Sequence, residues 1–374
     1  MNLPRRLHIG IALEGSGWHP ASWSASSITK PEQLFQPRFW QDMALRLDQA
    51  EVDFATIEDG ISLQGSSFGF ADQRADQYRG RMDSLVLGTV MLNATSCLKV
   101  IMSRNVTHTA AFLVASQLAS VANLAPGRVG WRPQVSSNAA DSAIIGGKPT
   151  PSLMPEDIYV PTRIAHRLRS LFDDAADFVA VVKALWQTFP GSALSTETTS
   201  APRDFLDPSR ISRDPITAGQ HKASGPLNVP VFQPPETMAL AHHALEPYRF
   251  AAIAADSVLV TPDGDTSLAK ILSVLQDIEE LSPMASTSRI YCDLIVILGD
   301  SQEHARSRKE ELDGCLGSEW SSDTHIFVGT PPELIDLIQE WTQHERFSGV
   351  RLRPAVIPED VNRIIEEVMP RIRG

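Results

Sequence analysis

The sequence predicts an α/β fold, a single closed (β/α)8 barrel with long insertions after strand 4 and before strand 5. Three observations carry this prediction. Short β-rich runs recur along the 374 residues, each answered by a helical pattern. Counting them gives eight βα units, which favours a closed TIM barrel over an open doubly wound sheet. One run, Ile290 to Leu298, is nearly continuous in apolar residues apart from Asp293, as expected for a strand covered on both faces. Barrels of this kind reach this length as one unit, so residues 1–374 are read as one domain.

The units follow in order. Leu7 to Leu13 is the first strand, with an amphipathic helix near Phe35 to Glu51. Asp53 to Ile57 is the second, with a helix near Ser84 to Ala94. Leu98 to Ser103 is the third, followed by a helix from Thr109 to Asn123 that Ala125-Pro-Gly127 ends. Arg128 to Trp131 is the fourth, and Phe172 to Trp186 is helical, with Phe178, Val181, Val182 and Leu185 on one stripe. Thr237 to Ala241 and Ser257 to Val260 are strands five and six, with a helix at Leu268 to Leu281. Ile290 to Leu298 is the seventh, with a helix at Pro331 to Gln343 whose proline stands near its start. Gly349 to Leu352 is the eighth, and Pro358 to Ile372 is the closing helix.

Two excursions interrupt the pattern, 133–161 and 190–235, both rich in Ser, Thr, Pro and Gly. Loops this long are uncommon unless they are functional lids or disordered, and in a barrel they would flank the mouth where ligands bind.

Composition bounds the function. A formal net charge of −12 argues against a nucleic-acid partner, which demands a basic face. No apolar run approaches a membrane span, and Met1 to Arg6 is not followed by a signal-peptide core. Cys97, Cys292 and Cys315 are far apart and lack metal-ligand spacing. A reducing, cytoplasmic location is expected.

Gly65-Ser-Ser-Phe-Gly69 fits the GxSxG string but lacks the strand before and helix after that a nucleophile elbow needs. Gly15-Ser-Gly17 has Pro20 where a dinucleotide fingerprint needs its third glycine. His242 and His243 are adjacent, so on a strand they point to opposite faces and cannot easily share a metal. No metal is expected. Glu58-Asp59 ends strand two, the position where barrels place active-site carboxylates, although a cap or loop ion pair would serve as well. Ser103-Arg104-Asn105, with Thr107 and His108 beside it, could cradle a phosphate or a flavin edge, or Thr107 could cap the next helix.

Five strings together resemble one family, the nitrilotriacetate and desulfurisation monooxygenase branch of the bacterial-luciferase-like flavin monooxygenases. They are His8-Ile-Gly10 with Gly17-Trp-His-Pro-Ala-Ser-Trp23; Gln117-Leu-Ala-Ser-Val with Pro126-Gly-Arg-Val-Gly-Trp131; Asp177-Phe-Val-Ala-Val-Val-Lys-Ala-Leu-Trp186; His221 with Gly225-Pro-Leu-Asn-Val-Pro230; and Gly329-Thr-Pro331 with the closing helix. The resemblance implies an enzyme that takes reduced FMN from a separate flavin reductase and oxygenates a small organic substrate with dioxygen. It also implies a homo- or heterodimer. By position it implies flavin contacts at Asp59, Ser103, Arg104, Ser136, His242 and Ala244. It places His19, with Trp23, and His108 at the catalytic pocket.

This sequence departs from the branch at Leu168, Phe172, Arg132 to Val135 and in the loop after strand five. There the small phosphate-binding string becomes Ala241-His-His-Ala-Leu-Glu-Pro247. The loop thereby loses two glycines that allow close backbone approach, and a serine hydroxyl. Weakly held FMN is therefore expected, with deazaflavin as a lesser possibility. A non-catalytic barrel serving as a binding or partner subunit is the alternative.

Overall fold

The structure is a computed structural model that describes residues 6–28, 30–64, 75–146, 161–195, 204–282 and 289–374. Eight parallel strands close on themselves: β1 (His8–Leu13), β2 (Phe54–Ile57), β3 (Lys99–Asn105), β4 (Val129–Gln134), β5 (Glu236–Ala241), β6 (Ser257–Val260), β7 (Arg289–Leu298) and β8 (Phe347–Pro354). All eight lie where the sequence pattern predicts them. The thinnest seam is β4 to β5, paired only at Gly130–Trp131 against Glu236–Thr237. The ring is covered by α1 (Pro37–Gln49), α2 (Ser84–Asn93), α3 (Ala111–Leu124), α4 (Pro161–Thr188), α5 (Leu245–Ala254), α6 (Asp265–Leu281), α7 (Gln302–Leu316) and α8 (Pro331–Trp341). The last, α9 (Glu359–Arg363), runs on through Arg373.

Local chemistry explains the ends of these elements. Asp83 accepts from the Leu85 and Val86 N–H groups to start α2. Thr330 and Glu333 form a reciprocal capping box at α8, with Pro331 at the first helical position. Ser301 caps α7, and Gly317, at φ 84°, ends it in the left-handed region. The main core fills the space between helices and strands. The small faces of α3 (Ala115, Ala119, Ala122) let that helix sit close to the sheet.

Inside the barrel, Phe54, Ile101, Met238, Leu259 and Tyr291 form a separate apolar layer. Gly10 makes room for it, because a Cβ there would lie 2.2 Å from the Phe54 ring.

Three features differ from the sequence reading. β7 is long enough to serve two sets of neighbours. Its first half pairs with β6, and its second half carries an extra parallel strand, Ile326–Gly329, reached through α7. The sequence reading has neither α7 nor this strand, because α7 is mostly polar and shows little apolar stripe. Within 190–235, an antiparallel hairpin of Pro215–Ala218 and His221–Ser224 packs near α4. Within 133–161, residues 139–144 form one short helix and α4 begins earlier than predicted, at Pro161. The rest of that excursion (147–160), the stretch 196–203 and the GxSxG string at 65–69 lie outside the described residues. No helix among the described residues is long and apolar enough to cross a membrane.

Candidate active site

Side chains on a strand alternate, so every second residue from the apolar layer points inward as well. Moving toward the carboxyl ends, the inward positions become Thr56 and Glu58, Ser103 and Asn105, Arg132 and Gln134, Leu240 and His242, Asp293, and Arg351 and Arg353. The interior thus changes from apolar to charged within two residues, at the end where barrels bind ligands.

These groups form one ion network. Arg351 grips Asp293 with two N–H groups, donates to the Thr56 hydroxyl at 3.1 Å and lies 3.7 Å from Glu58. The two partners sit side by side because β7 and β8 pair in the register Asp293 to Arg351. Arg353 reaches Asp293 and, at 2.8 Å, Asp323, while its guanidinium lies 4.7 Å over the Trp18 ring. Arg132 pairs with Glu58 and donates from Nε to the Ser103 hydroxyl at 3.1 Å. Arg81 pairs with Glu14 at 2.8 Å.

Surroundings decide the protonation of each carboxyl. Burial pushes Glu58 up, but Arg132 and the other three guanidiniums outweigh it and hold it below the usual range. Burial wins at Glu14, which has Arg81 close by, and lifts it above that range. Asp323 is only partly buried, and although that burial pushes it up, Arg353 brings it down to about 2.

Above the network lies a cavity of about 300 Å³. Trp18, Val135, Phe172, Leu240 and Phe250 form its apolar wall, and the arginines with Glu58, Asp323, Gln134 and His242 form the polar one. A smaller polar chamber of about 150 Å³ adjoins it, lined in part by Asp59, Ser62, Asn105, Asn138 and Asp141. The two share Arg81 and Gln134.

The residues singled out from sequence fall in different places. Asp59 lines the smaller chamber, ion-paired with Arg104 at 3.0 Å, and burial lifts its carboxyl above the usual range. Ser136 stands beside that chamber and donates to Asp141 at 2.6 Å. Ser103 is fully buried under the network as the acceptor from Arg132. Arg104 lines neither chamber; it ties Asp59 to Asp83.

His242 lines the larger cavity, and its Nδ1 is buried with no partner among the described residues. His243 sits at φ 59° and is exposed. Among the described residues no group of His, Cys, Asp and Glu is placed to hold a metal ion. Thr107 does not cap α3, whose N-cap is Ala110; its hydroxyl accepts from the Ser136 N–H instead.

Both histidines read as catalytic lie off the two cavities. His19 is almost fully buried. Its Nδ1 accepts from the Ala21 N–H at 3.1 Å, so Nε2 donates to Asp313 at 3.2 Å, and Trp320 packs edge-on at 4.6 Å. Both nitrogens are engaged in anchoring the first loop to α7. The His108 backbone N–H donates to the Asn105 side-chain oxygen, and the ring Nε2 is buried without a partner among the described residues.

The polar residues missed by sequence reasoning are Arg81, Arg132, Gln134, Asp323, Arg351 and Arg353. Two signals were present: Asp293 interrupts an otherwise apolar strand, and Arg351-Leu-Arg353 alternates charge along the end of the eighth strand.

The chambers fit one end of a flavin. The apolar wall suits a fused ring, and the unpartnered His242 Nδ1 and Arg353 Nε face its polar side. The described residues build no cradle for a phosphate after β5. Ala244 N-caps α5 without a side-chain bond, Glu246 puts a negative charge in the first turn, and Pro247 has no N–H.

A closed parallel barrel with a half-apolar, half-charged cavity at its carboxyl end defines an enzyme-like (β/α)8 protein. No protein-family model matches the chain. It is 20% identical to the N-acetyl-S-(2-succino)cysteine monooxygenase of Bacillus subtilis (strain 168), over 98% of this chain and 92% of that protein. It is 18% identical to nitrilotriacetate monooxygenase component A of Aminobacter aminovorans, over 100% of this chain and 93% of the relative. Among solved structures, the EDTA monooxygenase from Chelativorans sp. BNC1 superposes with a TM-score of 0.80 at 15% identity, covering 98% of this chain and 94% of that one. The fold is that of the luciferase-like flavin monooxygenases, and these end-to-end relatives bear out the resemblance to the nitrilotriacetate and desulfurisation branch. The non-catalytic alternative gains no support from them.

Proposed function

We propose that the chain is a flavin-dependent monooxygenase that takes reduced FMN from a separate flavin reductase and oxygenates a small organic substrate. The observation that carries this is the cavity of about 300 Å³ at the carboxyl end of a barrel that aligns from end to end with monooxygenases. When bound, the reduced flavin supplies the electrons that activate dioxygen.

The chain's own residues hold, orient and dry the site. Val135, Leu240, Phe172 and Phe250 offer the apolar surface for the ring and exclude water. Gln134 and His242 offer polar atoms to its edge. Asp59 and Ser136 flank the adjoining chamber, where the rest of the cofactor or the substrate would extend. His108 lines neither chamber, but its Nε2 is free of the fold's own hydrogen bonds among the described residues and Asp141, which lines the smaller chamber, is close to it; a proton would pass between His108 and the site by way of that carboxyl. His19, with both nitrogens engaged, would act by positioning the first loop.

The test is a titration of purified protein with FMN, oxidised in air and reduced under anaerobic conditions. Binding of the reduced form is expected. Failure to bind either form would overturn the proposal.

The same reading includes a dimer and a cytoplasmic site of action. Val86 on α2, with Leu113 and Leu124 on α3, stand exposed on outer helix faces, the kind of surface that a partner subunit covers. Sedimentation of the pure protein as a monomer at micromolar concentration would remove the dimer.

A further inference from the structure

Between β7 and β8 the chain leaves the ring through α7, turns along residues 317–325 and adds the strand Ile326–Gly329 outside the barrel. Three side chains of that turn reach back to the mouth. Trp320 packs edge-on against His19 at 4.6 Å, Asp323 accepts from Arg353 at 2.8 Å, and the Thr324 hydroxyl donates to the Asp293 carbonyl at 2.7 Å. Asp313, near the end of α7, adds a further link. Its Oδ1 accepts from His19 Nε2 at 3.2 Å and from the Trp320 N–H at 3.0 Å, while Oδ2 takes the Lys309 ammonium at 2.6 Å.

These contacts converge on Trp18. It stands in the first loop, where Gly15 and Gly17 have φ of 44° and 135°. Glycines give such a loop many conformations to lose, so its shape has to be imposed by its neighbours. One side is imposed by the end of β8: the Trp18 and His19 N–H groups donate to the Pro354 and Ala355 carbonyls at 2.9 and 3.1 Å. The other side is imposed by the insert. Trp18 and His19 face apart, the indole lining the larger cavity and the imidazole buried away from it. The insert therefore grips Trp18 twice. It holds the loop from behind through Asp313 and His19, and it holds the ring face through Asp323 and Arg353, whose guanidinium lies 4.7 Å from the indole centroid.

Charge pairing alone does not call for these two aspartates. Arg353 also has Asp293, and Lys309 also has Glu319. What Asp313 and Asp323 add is direction. We propose that α7 and the turn after it form a positioning unit for Trp18, with Asp313 and Asp323 as its two positioning residues. That Trp18 meets a flavin or a substrate rests on the monooxygenase reading; that the insert fixes Trp18 does not.

Hydrogen–deuterium exchange of the full-length, ligand-free protein tests it, read on peptides covering 14–22 against peptides covering β2 and β3. In Asp313→Ala the Trp18 and His19 amides are expected to exchange about tenfold faster, the worth of about one hydrogen bond, with β2 and β3 unchanged. Asp313→Asn keeps an oxygen for the His19 and Trp320 donors and is expected to restore slow exchange. Lys309→Met removes only the partner on Oδ2 and is expected to leave the loop as it is. Acrylamide quenching, taken as the difference between each protein and its Trp18→Phe counterpart, is expected to rise in Asp313→Ala and in Asp323→Ala. Asp323→Ala carries the test alone if Asp313→Ala does not fold. The proposal is overturned if exchange at 14–22 stays slow in Asp313→Ala, if it rises equally in β2 and β3, if Asp313→Asn behaves as Asp313→Ala does, or if Trp18 is no more accessible in Asp323→Ala. A protein whose first loop loosens as expected but that binds no flavin in either redox state loses the monooxygenase reading and keeps the positioning unit. One that binds reduced flavin, with a loop that neither aspartate affects, does the reverse.

Discussion

At the amino end of the barrel, five inward side chains, Phe54, Ile101, Met238, Leu259 and Tyr291, pack into an apolar layer. One inward step further along the same strands stand Thr56, Ser103, Leu240 and Asp293, with Arg351 beside them. The alternation is identical at both ends and the physics is opposite. Apolar packing is non-directional, so the lower layer accepts any set of side chains of the right volume. The upper layer is stable only if every charge finds its partner, which makes it exacting and also makes it a site. One residue pair, Asp293 with Arg351, is where the two regimes meet.

The largest effect that could break this contrast is removal of Asp293. It holds Arg351 and Arg353 together in a fully buried position, so Asp293→Ala leaves two guanidiniums short of a partner. A loss of about 3–5 kcal/mol is expected, enough to threaten folding, measured by urea unfolding. A loss under about 1 kcal/mol would mean that the upper layer tolerates substitution as the lower one does.

Next in size is the missing phosphate cradle after β5. His242→Gly, Ala244→Ser and Pro247→Gly together restore backbone approach and one hydroxyl. FMN affinity is expected to rise about a hundredfold, or about 2.7 kcal/mol, if two charge-assisted hydrogen bonds are regained. Riboflavin, which lacks the phosphate, should not share in the gain. In the unaltered protein the two should bind within about threefold of each other, because the loop after β5 offers the phosphate no cradle. Tight FMN and weak riboflavin binding in the wild type would show that the phosphate is held elsewhere.

A smaller effect is expected in the lower layer. Ile101→Val removes one methylene from the apolar layer and should cost about 1 kcal/mol, with no change in flavin binding. A change in flavin affinity larger than the change in stability would mean that the two layers are coupled.

The smallest effect is in the pH dependence. Arg353 holds Asp323 down to about 2, below its ordinary value of 3.8. A carboxyl depressed in the folded state contributes stability above its unfolded pKa and loses it as pH falls through the folded one. Part of the stability should therefore disappear between about pH 4 and 2, and Asp323→Asn should flatten that limb of a stability–pH curve. Glu14 has the opposite sign. Its raised carboxyl favours the folded state when protonated, and that contribution is lost as pH rises above the ordinary carboxyl range. An unchanged acid limb in Asp323→Asn would remove Asp323 from the network's energetics.

The strands were legible in the chain itself, because each is a local pattern: four to ten residues of β-rich chain bounded by turn residues and followed by a helical period. The sequence also placed Glu58 and Asp59 at a strand end, whereas His242 and His243, expected on opposite faces of a strand, follow the end of β5 with their ring centroids 4.6 Å apart. Elements without such a local signature escaped it. The polar helix α7 and the strand Ile326–Gly329 show too little apolar periodicity, and the hairpin at 215–224 alternates on a surface that is only half covered. The site needed tertiary structure for a different reason. Arg132 meets Glu58 across 74 residues of chain, brought together by the pairing of β2, β3 and β4, and Arg351 meets Thr56 across 295, a distance spanned when β8 returns to pair with β1. A charge in a sequence looks the same whether it faces water or a partner. Closure of the barrel decided which, by bringing each arginine to a carboxylate in a space too small and too dry to leave either alone.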